Sequence, residues 1–113
     1  MPVMIGGDIH ANWVGHIKVN YQNADSKAIG VEFCGAGITA RGGGNDGLPA
    51  RLARNPHFVF ADQERNGYGI LEVTPKQMNT TLRVVDSVTK SESNIQTLAN
   101  FTVLSGRPEI LRT

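Results

Sequence analysis

The chain of 113 residues is short of most of the features by which a small protein announces a function. It has a single cysteine, Cys34, so no internal disulfide can form. Cys34 sits in the apolar run Val31-Glu32-Phe33-Cys34, where a small buried hydrophobe is the expected role. There is no excess of charge: eleven basic and ten acidic residues are interspersed and leave a net charge of +1, which provides no footprint for nucleic acid or an anionic membrane as specific partner. No apolar run approaches eighteen residues, and no charged segment followed by an apolar stretch stands at the start. The expectation is a chain with neither a membrane span nor an export signal of its own. No acid pair at catalytic spacing and no second histidine cluster occurs beyond the first ten residues.

What is present favours strands. Thirteen glycines are well above the usual share, and amphipathic helical stripes are few, which points to a loop-rich, mainly β chain of one domain. A chain of this length buries roughly two thirds of its unfolded surface, enough for a core without staples. Pro2 to Ile5 is short and wholly apolar, as in a strand covered on both faces in a layered sheet. Its neighbours are not evident in the sequence, so exposed apolar surface and pairing with another copy are expected there. Alternation of Trp13, Gly15, Ile17 and Val19 with their neighbours reads as a strand, and Ile29, Val31 and Phe33 mark a second. Leu48 to Asn55 is the one credible helix, with Pro49 in its first turn and Asn55-Pro56 stopping it. From His57 to Leu104 the pattern is that of a β meander, and the tail beyond Pro108 is expected to fray. The glycine-rich loop 35–47 lacks the residues of a nucleotide cradle, and Gly42-Gly43-Gly44 reads as a flexible linker.

The chemistry-bearing stretch is Gly6-Gly7-Asp8-Ile9-His10, where an apolar strand stops and releases an acid and an imidazole. On a continuing strand Asp8 and His10 would share a face and could meet one cation, with Trp13 opposite them. Carboxylate plus imidazole suits zinc, iron or manganese. The same pattern also describes a turn-capping aspartate and a half-exposed histidine. Asn12 shares the parity of His10 and is a weak candidate for a phosphate contact, against a surface amide. His16 lies about 20 Å along a strand from His10 and cannot share its ion. His57 reads as structural or surface.

Four segments in order, Pro2 to Val19 with its Gly-Asp-Ile-His, Ile29 to Thr39 (IGVEFCGAGIT), Asn55 to Tyr68 (NPHFVFADQERNGY) and Thr97 to Pro108 (TLANFTVLSGRP), resemble the closing part of the PhoD-like alkaline phosphatases of the metallophosphoesterase superfamily. The resemblance implies a mainly β fold, a sandwich-like antiparallel sheet with one short helix, forming the carboxyl-terminal portion of a four-layer α/β enzyme. It also implies phosphomonoester and phosphodiester hydrolysis by metal-activated water, extracytoplasmic, with iron and calcium as the foremost cofactors and zinc or manganese as alternatives. His10 would be a metal ligand and Asp8 a ligand or the acceptor that orients it. The family's other ligand segments, a Gly-Asp-x-x-(Asp/Tyr) and a Gly-Asn-His-(Asp/Glu), do not occur. The expectation is a partial site, no metal held and no turnover by this chain alone. The alternative is a non-catalytic β module that self-associates as a homo-oligomer through an exposed sheet edge or pairs with a partner chain.

Overall fold

The computed structural model describes all residues 1–113. It contains β1 (Val3–Gly6), β2 (Asn12–Lys18), β3 (Ala28–Cys34), α1 (Leu48–Arg54), β4 (Phe58–Asp62), β5 (Gly67–Val73), β6 (Gln77–Val85), β7 (Ile95–Leu104) and β8 (Leu111–Arg112). The strands form two four-stranded sheets, ordered β1-β3-β2-β4 and β5-β6-β7-β8. The first is mixed, because β1 runs parallel to β3 while β2 is antiparallel to both β3 and β4. The second is a purely antiparallel meander. The expected mainly β architecture with one short helix is what the chain adopts.

The sheets pack face to face because their strands alternate. Val14, Val31 and Phe33 of the first sheet meet Met78, Leu82, Phe101 and Val103 of the second in one buried cluster. Along β6 every second residue from Met78 to Val84 is buried, the period-2 signature of an antiparallel sheet with one solvated face. The opposite face of the first sheet carries a smaller cluster of Ala11, Trp13, Cys34 and Leu48, with Leu52, Phe58 and Ala61 against it. The helix α1 is only seven residues long, too short to persist alone, so docking Leu48 and Leu52 on the sheet is what holds it. Layers of helix, mixed sheet and antiparallel sheet result.

Four expectations change. The segment from His57 is not one meander: β4 completes the first sheet, and the turn at 63–66 carries the chain across to the second. Phe58 and Phe60, which share parity, nevertheless face opposite layers, since a bulge in β4 places Val14 against Phe60 but Gly15 against Phe58. The ring of Phe58 then crosses Gly15, where a Cβ would come within 2.7 Å of it. The tail does not fray: β8 pairs with β7, and the Arg112 guanidinium stacks 5.0 Å from the Phe60 ring centre and 6.0 Å from that of Phe101. Finally, β1 does have a neighbour, the parallel β3, but all four of its residues are exposed and its other edge is open.

Candidate functional site

The first strand stops at Gly6, and residues 7–11 form a turn before β2 begins. Asp8 and His10 both adopt left-handed backbone conformations, with φ of 77° and 58°. A strand keeps i and i+2 on one face only while the backbone is extended, so the shared-face argument does not apply to this pair. Both residues are exposed at the carboxyl end of β1, the end at which open α/β sheets present their loops. Left-handed non-glycine residues cost free energy unless their surroundings enforce them. Three features of the fold adjoin the turn.

The first is Cys34, whose Sγ donates to the Gly7 carbonyl oxygen at 3.6 Å. Its thiol is buried, and burial, followed by the negative charges of Glu32 and Asp8, pushes its pKa up from 9.0. It is an inert packing thiol, as its apolar run suggests. The second is Asn12, only 2% exposed, whose Oδ1 accepts the Ala36 N–H at 3.1 Å. That bond ties the residue after the turn to the start of the glycine-rich loop. Asn12 is thus buried, not the surface amide that its sequence position also allows, and its carbonyl oxygen is engaged within the chain. The third contact is Gly42, which lies so close beneath the turn that a Cβ there would be 2.6 Å from the His10 carbonyl oxygen.

The loop that carries Gly42 is not the flexible linker its composition suggests. Asn45 donates from Nδ2 to Asp62 Oδ1 at 3.0 Å and accepts the Gln63 N–H at 2.8 Å, while Gln63 Nε2 donates to the Gly44 carbonyl at 3.0 Å. Asp62 in turn accepts the Arg65 N–H at 2.9 Å. Asn66 Nδ2 donates to the carbonyls of Gly37 and Ala40, closing the same loop from the other side. These clamps were not recognised in the sequence. Asn45-Asp46-Gly47, a turn-forming run, and Asp62, an acid at a strand end, are the signals that point to them.

Around the turn the surface is apolar on one side. An open depression of about 420 Å³ is lined by Gly7, Ile9, Trp13, Cys34 and Phe58 together with the charged Glu32 and Arg51, and Trp13 packs edge-on to Phe58 at 4.7 Å. Asp8 and His10 are not among its lining residues, so acid and imidazole stand outside it. No group of three or more His, Cys, Asp or Glu side chains is placed to hold a metal ion. A catalytic metal centre needs three or more protein donors and an open position. The donor set of this chain therefore does not fit a self-sufficient metal centre. The His57 ring lies against Tyr21 at 4.7 Å and Phe58 at 4.3 Å, and burial, with help from Lys18, lowers its pKa from 6.5.

A mixed sheet sandwiched between a helix and an antiparallel sheet, with an Asp-x-His turn leaving a parallel strand, is a β-sheet unit of the metallophosphoesterase type. Residues 1–82 match the family described as PhoD-like phosphatase, and the chain belongs to that family. It is similar to alkaline phosphatase D of Bacillus subtilis (strain 168), 37% identical over 102 residues that make up 88% of this chain and 17% of the relative. A solved structure titled "Structure of PhoD" superposes over 98% of this chain and 22% of its own, with a TM-score of 0.83 and 29% identity. The chain thus spans 17% of one relative and 22% of the other. No helix is long and apolar enough to cross a membrane.

Proposed function

We propose that these residues are the carboxyl-terminal portion of the fold of a PhoD-like alkaline phosphatase, a hydrolase of phosphomonoesters and phosphodiesters, and that by themselves they do not turn over phosphoesters. The observation that carries the reading is the turn at Asp8 and His10. Family membership directs attention to its acid and imidazole, and both residues hold left-handed backbone conformations in a turn flanked by Cys34, Asn12 and Gly42. Strain maintained at that point is in keeping with a functional turn. In this reading His10 is a metal ligand in the assembled enzyme, Asp8 is a ligand or the acceptor that orients it, and Asn12 positions the turn. The metals are of the iron and calcium kind, with zinc or manganese as alternatives, and the enzyme works outside the cytoplasm. The remaining donors would have to come from beyond these residues, because no group of three donors stands together in this chain.

Hydrolysis of p-nitrophenyl phosphate and bis(p-nitrophenyl) phosphate, with iron, calcium, zinc and manganese, tests the proposal. The chain alone should not exceed the buffer rate. Co-expression with Bacillus subtilis alkaline phosphatase D deleted for its matching segment should yield turnover that His10→Ala abolishes. Turnover by the isolated chain that disappears in His10→Ala would overturn the claim of incompetence. A co-expressed complex that forms and is active regardless of His10 would remove the assigned role of the turn.

A further inference from the structure

One dipeptide of the chain is chemically labile, and the fold both requires it and shields it. Asn66-Gly67 is the only Asn-Gly in the sequence. Its second residue has to be glycine, because a Cβ on Gly67 would collide with the Arg83 carbonyl of the neighbouring strand. Its first is an asparagine held from three sides. Asn66 Nδ2 donates to the Gly37 and Ala40 carbonyls at 3.0 and 2.7 Å, and the Asn66 carbonyl accepts the Val85 N–H at 2.9 Å. The side-chain amide thus ties the start of the glycine-rich loop to the start of β5.

In an Asn-Gly pair the backbone nitrogen attacks the side-chain amide readily, since glycine puts no Cβ in its path. The Gly67 nitrogen, once its proton passes to hydroxide, adds to Cγ of Asn66. The Cγ–Nδ2 bond breaks, and ammonia leaves with a proton supplied by water. One further water opens the resulting succinimide ring at either carbonyl, leaving an aspartyl or an isoaspartyl residue at position 66. The net exchange is one water taken up for one ammonia released, with nothing oxidised or reduced. In the folded chain both reacting groups are engaged by the same acceptor: the Gly37 carbonyl receives the Gly67 N–H at 3.1 Å as well as Asn66 Nδ2. Gly67 is buried as well, so hydroxide meets its proton only when the loop lifts away.

We propose that Asn66-Gly67 is a deamidation site that the closed loop keeps silent and that, once converted, holds the loop open. An ionised aspartate has no hydrogen to donate. Where the amide met two carbonyls with its N–H groups, a carboxylate meets them with negative charge, and the 37–40 segment is released. The isoaspartyl form also lengthens the backbone by one carbon where position 66 pairs with Val85. Refolding does not restore the amide, so release is one-way. The same loop continues to Gly42 beneath the His10 turn, so the change at 66 reaches the turn along the chain. Every contact involved lies between residues of this chain, and none depends on the phosphatase reading.

The test is peptide mass spectrometry of the 113-residue chain held in mildly alkaline buffer with and without urea, with trypsin cutting after Arg65 and Lys76 to isolate the dipeptide. In urea, position 66 should convert faster than any other asparagine, and without urea at least about tenfold more slowly than in it. Asn66→Asp, which lacks the donors, should be cut by brief trypsin treatment at the exposed Arg41 at least about tenfold faster than the parent. Equal conversion with and without urea overturns the proposal, as does an Asn66 that stays intact in urea. Cleavage at Arg41 no faster in Asn66→Asp than in the parent overturns it too. Should Asn66→Asp fail to fold, parent chain aged to partial conversion decides: the molecules cut at Arg41 should be the converted ones, and a cut indifferent to conversion refutes the release.

Discussion

Substituting Gly42 by alanine tests whether the glycine-rich loop carries the His10 turn. A Cβ at this position would lie 2.4 Å from the Gln63 carbonyl oxygen and 2.6 Å from that of His10. Carbon and oxygen come to rest at about 3.3 Å, so the loop must retreat by roughly 0.7–0.9 Å from two backbone segments. Neither is the tip of a movable side chain. The retreat also strains the 3.4 Å bond from the Gly44 N–H to the Gln63 carbonyl. Overpacking typically costs about 1–3 kcal/mol and a lost backbone bond about 1, which together give a destabilisation of about 2–4 kcal/mol. Gly43 is the control: a Cβ there meets nothing within 4 Å, and its replacement by alanine should be neutral or stabilising by about 0.5 kcal/mol through the unfolded chain. Urea unfolding followed by Trp13, the only tryptophan, measures both, and the imidazole resonances of His10 report whether the turn has moved. The reasoning fails if the two alanine variants agree within about 0.5 kcal/mol. It also fails if Gly42→Ala is destabilised while His10 is unshifted, since the loop would then not rest on the turn.

The sandwich and its surroundings make further expectations. Phe101 is buried with ring centres 6.1 Å from Phe33 and 5.6 Å from Phe60, so Phe101→Ala should cost about 3–5 kcal/mol in chemical denaturation; a loss under about 1.5 would mean that the two sheets do not share one core. The Thr80 hydroxyl is buried between the sheets without a hydrogen-bond partner, so Thr80→Val should stabilise by about 1 kcal/mol, and a clear destabilisation would reveal a partner for it. His57 has a folded pKa below its unfolded value of 6.5, so its contribution is intact above that pH and is lost as pH falls through the folded value, where the unfolded chain has already taken the proton. Stability measured from pH 7.5 to 5 should therefore decline less in His57→Gln than in the parent, and equal slopes would contradict the assignment.

How much of this was legible follows from where the chain obeys a local rule. Strand β6 alternates cleanly and β7 does so over its second half, β3 carries β-branched and aromatic residues at every second position, β2 has Trp13 and Ile17 in one parity, and α1 is bounded by Pro49 and Asn55-Pro56, so their type and position could be read directly. Pairing was harder, because it depends on residues far apart. Nothing local indicates that β1 pairs directly and in parallel with β3 although β2 comes between them in the sequence, or that β4 turns its back on β5 to join β2. The bulge that sends Phe58 and Phe60 to different layers is likewise invisible in a pattern of residue types. The tail departs from the rule that termini fray because its chemistry outweighs its position: Arg112 finds two aromatic rings, and β8 has β7 to pair with.

At the candidate site the residue types were legible and the geometry was not, for a definite reason. Parity arguments assume extended backbone, and Gly6-Gly7 is the dipeptide that ends it. Once the strand stops, the orientation of Asp8 and His10 is decided by what lies underneath, and the supports come from β3, from the start of β2 and from a loop more than thirty residues further on. The loop is in turn anchored through Asn45 to the end of β4. The groups that touch the turn therefore belong to the first sheet or to the loop clamped to it, and the second sheet reaches that loop only at its other end, where the N–H of Gly67 at the start of β5 donates to the Gly37 carbonyl. It follows that damage to the sandwich core and damage to the loop should separate: core variants lower stability with the His10 environment unchanged in the molecules still folded, whereas Gly42→Ala alters that environment directly. A core variant such as Phe101→Ala that shifted the His10 resonances in the folded state would show the turn to be coupled to the second sheet.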